Sequence, residues 1–182
     1  MIGIEDPVRS DAKETIEELK RMGFSSVIMM TGDGENAAKR AADALGITEY
    51  RSQVLPEDKA EMVAKLKEKG HKVVMVGDGI NDSPALAAAD VSIAMRDSSD
   101  LAKQVADITL LSEELEDLIL LRNLSSKLMR RTAANYRFIM GFNTALMAAG
   151  ILGIMTPQTT SVLHNLSTMA ISAASTRPYL KD

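Results

Sequence analysis

Three short runs in this chain combine residue types that handle phosphate: Thr31-Gly32-Asp33-Gly34, Pro56-Glu57-Asp58-Lys59 and Gly77-Asp78-Gly79-Ile80-Asn81-Asp82. Glycines on both sides of an aspartate let backbone N–H groups approach an anion, and a helix beginning just beyond adds favourable potential for negative charge. Carboxylates gathered at one place repel one another unless a cation sits between them. Hard oxygen ligands of this kind suit Mg²⁺, which takes one or two carboxylates together with water and phosphate oxygens. Lys59 falls in the first turn of an expected helix, where it opposes the helix dipole, so its placement implies an anionic partner elsewhere. Singly, each motif has an ordinary reading: Gly-Asp-Gly is a common turn, an aspartate is often a cap, and most lysines are solvated surface charges. In combination and in this order they indicate phosphoryl-transfer chemistry.

The elements that position these residues follow from periodicity. Asp11 to Met22 carries Ile16, Leu19 and Met22 at helical spacing among acids and lysines, and Ser25 to Met30 is a short apolar run ending at the Thr31-Gly32-Asp33 turn. Glu35 to Leu45 is alanine-rich and stopped by Gly46, Pro56 to Lys69 is a further helix stopped by Gly70, and His71 to Val76 is a buried strand ending at the Gly77-Asp78-Gly79 turn. Asn81 to Ala89 suits a short helix, followed by strands over Val91 to Met95 and Ile108 to Leu111. Alternation at this spacing predicts a Rossmann-like α/β fold, a parallel sheet with helices on both faces. In such a sheet both glycine-flanked turns emerge at the carboxyl edge, so Thr31, Asp33, Asp78, Asn81 and Asp82 are expected to converge.

Charge is distributed unevenly along the 182 residues. Net charge is −4, but residues 1–137 carry 19 Lys+Arg against 24 Asp+Glu, and Phe138 to Thr176 contains no Asp, Glu, Lys or Arg. A modest negative net charge excludes the broad basic field of a nucleic-acid binder. The absence of cysteine excludes a disulfide scaffold, a thiolate metal site and a cysteine nucleophile, and 3% aromatic content without Trp argues against a stacking platform. Thr156-Pro157-Gln158-Thr159-Thr160 divides the uncharged stretch, which predicts a helical hairpin over Tyr136 to Met155 and Thr160 to Pro178. Lys127, Arg130, Arg131 and Arg137 precede it, Arg177 and Lys181 follow it, and the connecting loop has no charge. That is the pattern of two transmembrane helices with both ends cytoplasmic. No signal peptide is expected at the acidic amino terminus. The organisation expected is a partial catalytic domain over 1–115, a connecting helix over 116–135 and the hairpin over 136–178.

The run Met75 to Leu86 (MVGDGINDSPAL) closely resembles the signature of P-type ATPases, members of the haloacid dehalogenase-like superfamily, and Asp6-Pro7-Val8-Arg9, the TGD turn and Pro56 to Lys59 are similar to that family's other cytoplasmic motifs in the same order. The two closing helices resemble those of heavy-metal pumps. The resemblance implies that Asp78 is the Mg²⁺ ligand, with Asn81 and Asp82 organising metal and phosphate beside it; Asp82 is taken with Asp78 as a metal residue. It implies that Lys59 neutralises the transferred phosphoryl group, that Thr31, Gly32 and Asp33 position phosphate and water, that Gly77 and Gly79 bring backbone to the phosphate, and that Asp6 and Arg9 lie near the nucleotide, with ATP and Mg²⁺ as cofactors.

The family's phosphorylated aspartate, in a DKTGT motif, is absent from these residues. The chain is therefore expected to be the carboxyl-terminal part of a metal pump in the plasma membrane, its catalytic domain cytoplasmic, inactive without the remainder of the ATPase. For the transported ion, Phe142-Asn143 and Met169-x-x-Ser172 resemble copper pumps, while His164 to Thr168 resembles the final helix of zinc, cobalt or manganese pumps. The candidate residues are Asn143, His164, Thr168, Met169 and Ser172, with a divalent ion slightly preferred and a lipid bilayer as the surrounding partner. A soluble phosphatase-related fold and a non-catalytic Mg²⁺/phosphate-binding module are the alternatives.

Overall fold

The structure, a computed structural model, describes Arg9 and residues 11–178. It divides into two compact units between Ile119 and Leu120. In the first, helices and strands alternate: α1 (Ala12–Arg21), β1 (Ile28–Met30), α2 (Glu35–Leu45), β2 (Glu49–Arg51), α3 (Pro56–Glu68), β3 (Val74–Gly77), a 3₁₀ turn (Ile80–Asp82), α4 (Ser83–Ala88), β4 (Val91–Ala94), α5 (Asp100–Val105) and β5 (Ile108–Thr109). α6 (Glu116–Ile151) begins in this unit and runs into the second, which ends with α7 (Pro157–Ser175).

Local chemistry accounts for the boundaries. α2 ends on Gly46, whose φ of 67° is left-handed and closes the helix with little steric penalty. Pro56 opens α3 at a position that needs no N–H, and the Leu55 N–H donates to the Asp58 carboxylate at 3.2 Å, satisfying a donor at the helix start. Ser99 caps α5, its hydroxyl accepting from the Ala102 N–H at 3.2 Å. Asp90 and Asp107 tie neighbouring strands together: Asp90 accepts from the Val73 N–H and Lys72, and Asp107 accepts from both the N–H and the hydroxyl of Ser92.

Among the described residues all strand pairing is parallel, as expected, but the single sheet is corrected to two: β1 pairs only with β2, and β3–β4–β5 form a separate sheet. Strand β2 and helix α5 are additions to the anticipated elements. Each is short, and β2 with exposed Glu49 and Arg51 has no apolar run to announce it. The main core joins Val63, Met75, Ala85, Leu86 and Ala102, with Met30 of β1 packed against it. A second cluster of Ile16, Ala42 and Ile47 holds α1 against α2 and β2.

In the second unit the two-helix hairpin is present, with boundaries that differ from expectation. The connecting helix expected over 116–135 and the first hairpin helix are one continuous α6, because no Gly, Pro or cap interrupts Glu116 to Tyr136. The expected membrane crossing is not met by the helices themselves: among the described residues no helix is long and apolar enough to cross a membrane. The uncharged part of α6, Phe138 to Ile151, spans about 20 Å at 1.5 Å per residue, short of the ~30 Å hydrocarbon layer. In α7 more than half the residues are Gln, Ser, Thr, His or Asn, which lowers its hydropathy.

Candidate phosphate and cation site

The Gly77-Asp78-Gly79 turn is shaped from within by Asp82. One Asp82 carboxylate oxygen accepts from the Asp78 N–H at 3.3 Å and lies 3.5 Å from the Gly79 nitrogen; the other accepts from Lys59 Nζ at 2.7 Å. The Lys59–Asp82 ion pair is largely withdrawn from water, with side-chain exposures of 12% and 11%. Gly77 is required for this arrangement. A Cβ there would lie 2.7 Å from Asp82 Cβ and 3.1 Å from its Oδ2, whereas one at Gly79 would meet nothing closer than 3.8 Å. The two glycines, equivalent in sequence, thus do different work.

A segment that sequence reasoning passed over supports the turn from the far side. Ser98 donates its hydroxyl to the Gly77 carbonyl at 3.2 Å, and the Ser99 N–H donates to the Asp78 carbonyl at 3.0 Å. Ser98 is buried. The Ser98-Ser99-Asp100 run, a serine cap before a helix, was the available signal.

The Thr31-Gly32-Asp33 turn is closed by its own side chains. Thr31 Oγ1 donates to Asp33 Oδ2 at 2.9 Å and accepts from the Asp33 N–H at 3.1 Å. The segment after β2 clamps it: Gln53 N–H donates to the Asp33 carbonyl at 2.9 Å and Val54 N–H to the Thr31 carbonyl at 3.0 Å. Gln53 reaches this position with φ of 52°, the left-handed region that a non-glycine residue rarely occupies. Glu35, in the first turn of α2, accepts from Tyr50 Oη at 2.7 Å and Ser52 Oγ at 2.5 Å, bonds that hold its carboxyl below the usual range. One continuous path therefore runs from the TGD turn through Val54 to the start of α3, then through Lys59 to Asp82 and the Gly77-Asp78-Gly79 turn. Lys59 is the residue that joins the motifs.

Of the expected site residues, the structure brings Lys59, Asp82, Gly77, Asp78 and Gly79 together and links Thr31, Gly32 and Asp33 to them through residues 53–59. Asn81 lies exposed in the 3₁₀ turn between Asp78 and Asp82. Arg9 pairs with Asp11 at 3.2 Å and so lowers its pKa, while Asp6 lies outside the described residues. Both Asp82 oxygens are already engaged by Lys59 and the turn's backbone, so the exposed Asp78 is the carboxylate open to a metal. Among the described residues no three His, Cys, Asp or Glu side chains gather as a metal-binding group. An open carboxylate beside backbone N–H groups fits Mg²⁺ held by a carboxylate with water and phosphate oxygens.

Within the second unit, His164 Nδ1 lies 2.9 Å from Asn143 Oδ1, so these two candidate residues meet across the hairpin. They line a hollow of about 560 Å³ with Leu146, Met147, Pro157 and Thr160. Thr168 spends its hydroxyl on the His164 carbonyl at 3.0 Å, and Met169 and Ser172 are exposed.

Residues 1–90 match the family described as "Hydrolase: haloacid dehalogenase-like hydrolase". Over 178 residues, 97% of this chain, the sequence is 40% identical to a zinc-exporting P-type ATPase of Mycobacterium marinum, of which it covers 24%. A manganese-exporting P-type ATPase of Mycobacterium leprae is likewise 40% identical over 178 residues, 97% of this chain and 25% of that protein. A crystal structure of a zinc-transporting PIB-type ATPase in its E2·Pi state superposes with a TM-score of 0.87 at 33% identity, covering 93% of this chain and 28% of the other. The chain spans about a quarter of the length of the curated relatives it matches.

Proposed function

We propose, from a chain that belongs to the heavy-metal P-type ATPases and carries their haloacid dehalogenase-like hydrolase fold, that it supplies the carboxyl-terminal phosphate- and Mg²⁺-handling part of an ATP-driven metal-ion exporter. The observation that carries this reading is the Lys59–Asp82 pair at the Gly77-Asp78-Gly79 turn. Asp82 fixes the turn and holds Lys59 with its ammonium beside it, poised to exchange the carboxylate for a phosphoryl oxygen. Asp78 would hold Mg²⁺, whose charge lowers the electrostatic cost of phosphoryl transfer. Thr31 and Asp33, fixed to the same structure through Val54, would orient the phosphate and the attacking water. The reading places the phosphorylated aspartate, ATP binding and most of the membrane domain in the remainder of the ATPase, so the isolated chain does not turn over ATP.

The hairpin belongs to the same reading. Uncharged surface over Phe138 to Thr176 leaves Met147 67% and Leu152 72% exposed, a poor surface for water and an ordinary one for lipid. The polar side of α7 suits the interior of a larger helix bundle, where Ser, Thr, Asn and His find partners or line an ion path. The His164 imidazole, held at Asn143, supports the slight preference for a zinc-, cobalt- or manganese-like ion, an imidazole being a harder donor than the exposed Met169 thioether of the copper-like pattern. The catalytic unit would then lie on the cytoplasmic side of the plasma membrane. The test is metal-stimulated ATP hydrolysis by the complete pump in vesicles. Asp78→Ala and Lys59→Ala should each abolish it with zinc or manganese, and wild-type turnover by Asp78→Ala would refute the proposal.

A further inference from the structure

From Leu118 to Lys181 the chain contains no acidic residue, yet it carries Arg122, Lys127, Arg130, Arg131, Arg137, Arg177 and Lys181. No carboxylate within this stretch can neutralise them. Arg122 donates to Ser126 at 2.9 Å, and Arg131 is spent on the end of α7, donating to the Arg177 carbonyl at 2.7 Å and to the Ala174 carbonyl. Asn135 adds a bond to Ser175 at 2.9 Å, so the carboxyl end of α7 is held beside α6 and brings Arg177 to the same end of the hairpin. Lys127, Arg130, Arg137 and Arg177 all remain exposed.

Arg137 turns back along its helix. Its Nε donates to the Ala133 carbonyl at 3.3 Å, so the guanidinium lies about one turn nearer the hairpin base than its own Cα. Measured to that level, the exposed α6 cations Lys127, Arg130 and Arg137 occupy about 9 Å along the axis, comparable with the depth of one headgroup layer. Immediately beyond them stand Tyr136, Phe138, Ile139 and Met140, all exposed, and from there to the tip the hairpin has no charge. A basic collar adjoining an uncharged apolar surface, with an aromatic hydroxyl at the boundary, is complementary to the edge of an anionic bilayer. An acidic protein or a nucleic acid would match the charge and leave the adjoining apolar surface unexplained.

We propose that Lys127, Arg130, Arg137 and Arg177 form a collar that selects anionic lipid headgroups around the hairpin. The inference rests on the reading of the hairpin as membrane-inserted. A cation at such a surface gives roughly a fivefold preference for an anionic lipid. The test reconstitutes the full chain in phosphatidylcholine vesicles doped with spin-labelled phosphatidylglycerol or phosphatidylcholine and measures the motionally restricted fraction of each by electron paramagnetic resonance.

The expected result is about fivefold selectivity for phosphatidylglycerol at low salt, collapsing towards unity in ~1 M salt, where the Debye length is about 3 Å. It should also collapse in K127Q/R130Q/R137Q/R177Q, and persist in the charge-conserving K127R/R130K/R137K/R177K. Equal restriction of the two labels by a wild-type chain that resists carbonate extraction overturns the collar alone. A chain that carbonate strips from the vesicles overturns insertion and the collar with it.

Discussion

Alanine at Gly77 and alanine at Gly79 are expected to differ sharply in cost, although both glycines flank Asp78. At Gly77 the new methyl would stand 2.7 Å from Asp82 Cβ, a distance that real Cβ atoms do not tolerate, so Asp82 must move. Its carboxylate is held by Lys59 at 2.7 Å and by the turn's backbone, so movement either breaks these bonds or strains β3. Forcing a methyl into such a packed position costs about 1–3 kcal/mol. At Gly79, whose φ of −112° any residue adopts, the nearest atom is the Asn81 nitrogen at 3.8 Å, which is ordinary contact. Thermal unfolding of the full chain in mild detergent, followed by circular dichroism, reads the difference. With roughly 4 °C per kcal/mol for a unit of this size, Gly77→Ala should melt about 4–12 °C below wild type and Gly79→Ala within a few degrees of it. Equal melting temperatures for all three proteins would refute the claim that Asp82 is seated against Gly77.

Other expectations follow from the same contacts. Lys59→Ala strands a nearly buried Asp82 carboxylate and should destabilise the first unit by about 3–5 kcal/mol, while Lys59→Met/Asp82→Asn, which removes the charge and keeps an acceptor for the Asp78 N–H, should recover most of that loss in urea titrations. Asp107 and Asp90 have pKa values lowered chiefly by backbone N–H bonds from Ser92 and Val73, so their folded-state pKa lies below the unfolded one. Their stabilisation is present above the unfolded value and is lost as pH falls through the folded value, so the unfolding midpoint should drop below roughly pH 4, less steeply in Asp107→Asn. Ser98→Ala removes a buried hydroxyl from the Gly77 carbonyl and should cost about 1–2 kcal/mol in the same titration.

Residues with a local cause were legible in the sequence. The TGD and Gly-Asp-Gly turns sit directly after apolar strands, Gly46 and Gly70 stop their helices, and Pro56 starts one, so α2, α3, β1, β3 and β4 could be read from composition and spacing. What escaped was set by tertiary contact. β2 is a strand because Thr31 and its neighbours pair with it, and no periodicity in Glu49-Tyr50-Arg51 says so. Gln53 adopts its left-handed conformation because the TGD turn needs an N–H there, a demand invisible in a glutamine. The engagement of Asp82 by Lys59 depends on a helix 23 residues earlier in the chain, which the Gly77 to Asp82 motif does not announce. The hairpin was legible from its missing charges, whereas its continuity with the connecting helix was not. The charge step at Arg137 to Phe138 falls inside α6 and interrupts none of its backbone hydrogen bonding.

The division of the sheet carries a last prediction. β1 and β3 carry the two turns on which the proposed chemistry depends, and among the described residues each is paired on one side only, β1 with β2 and β3 with β4. An edge strand leaves a row of N–H and C=O groups without partners, and Val74 and Val76 of β3 are exposed as well, so both strands hold apolar and polar surface that another strand would satisfy. The relatives are about four times as long as this chain, so on the proposed reading the remainder of the ATPase would have ample sequence to provide one. A parallel strand bridging β1 and β3 would deliver whatever follows its carboxyl end beside Thr31 and Asp78, which is where a phosphate acceptor must stand. Amide hydrogen exchange tests this. The outward amides of β1 and β3 should exchange in the isolated chain orders of magnitude faster than those shared with β2 and β4, and should become protected in the complete pump. Equal protection in both forms would show that the edges are closed without any added strand, and the phosphate acceptor of the proposed reading would then have to approach the Lys59–Asp82 pair from outside the sheet.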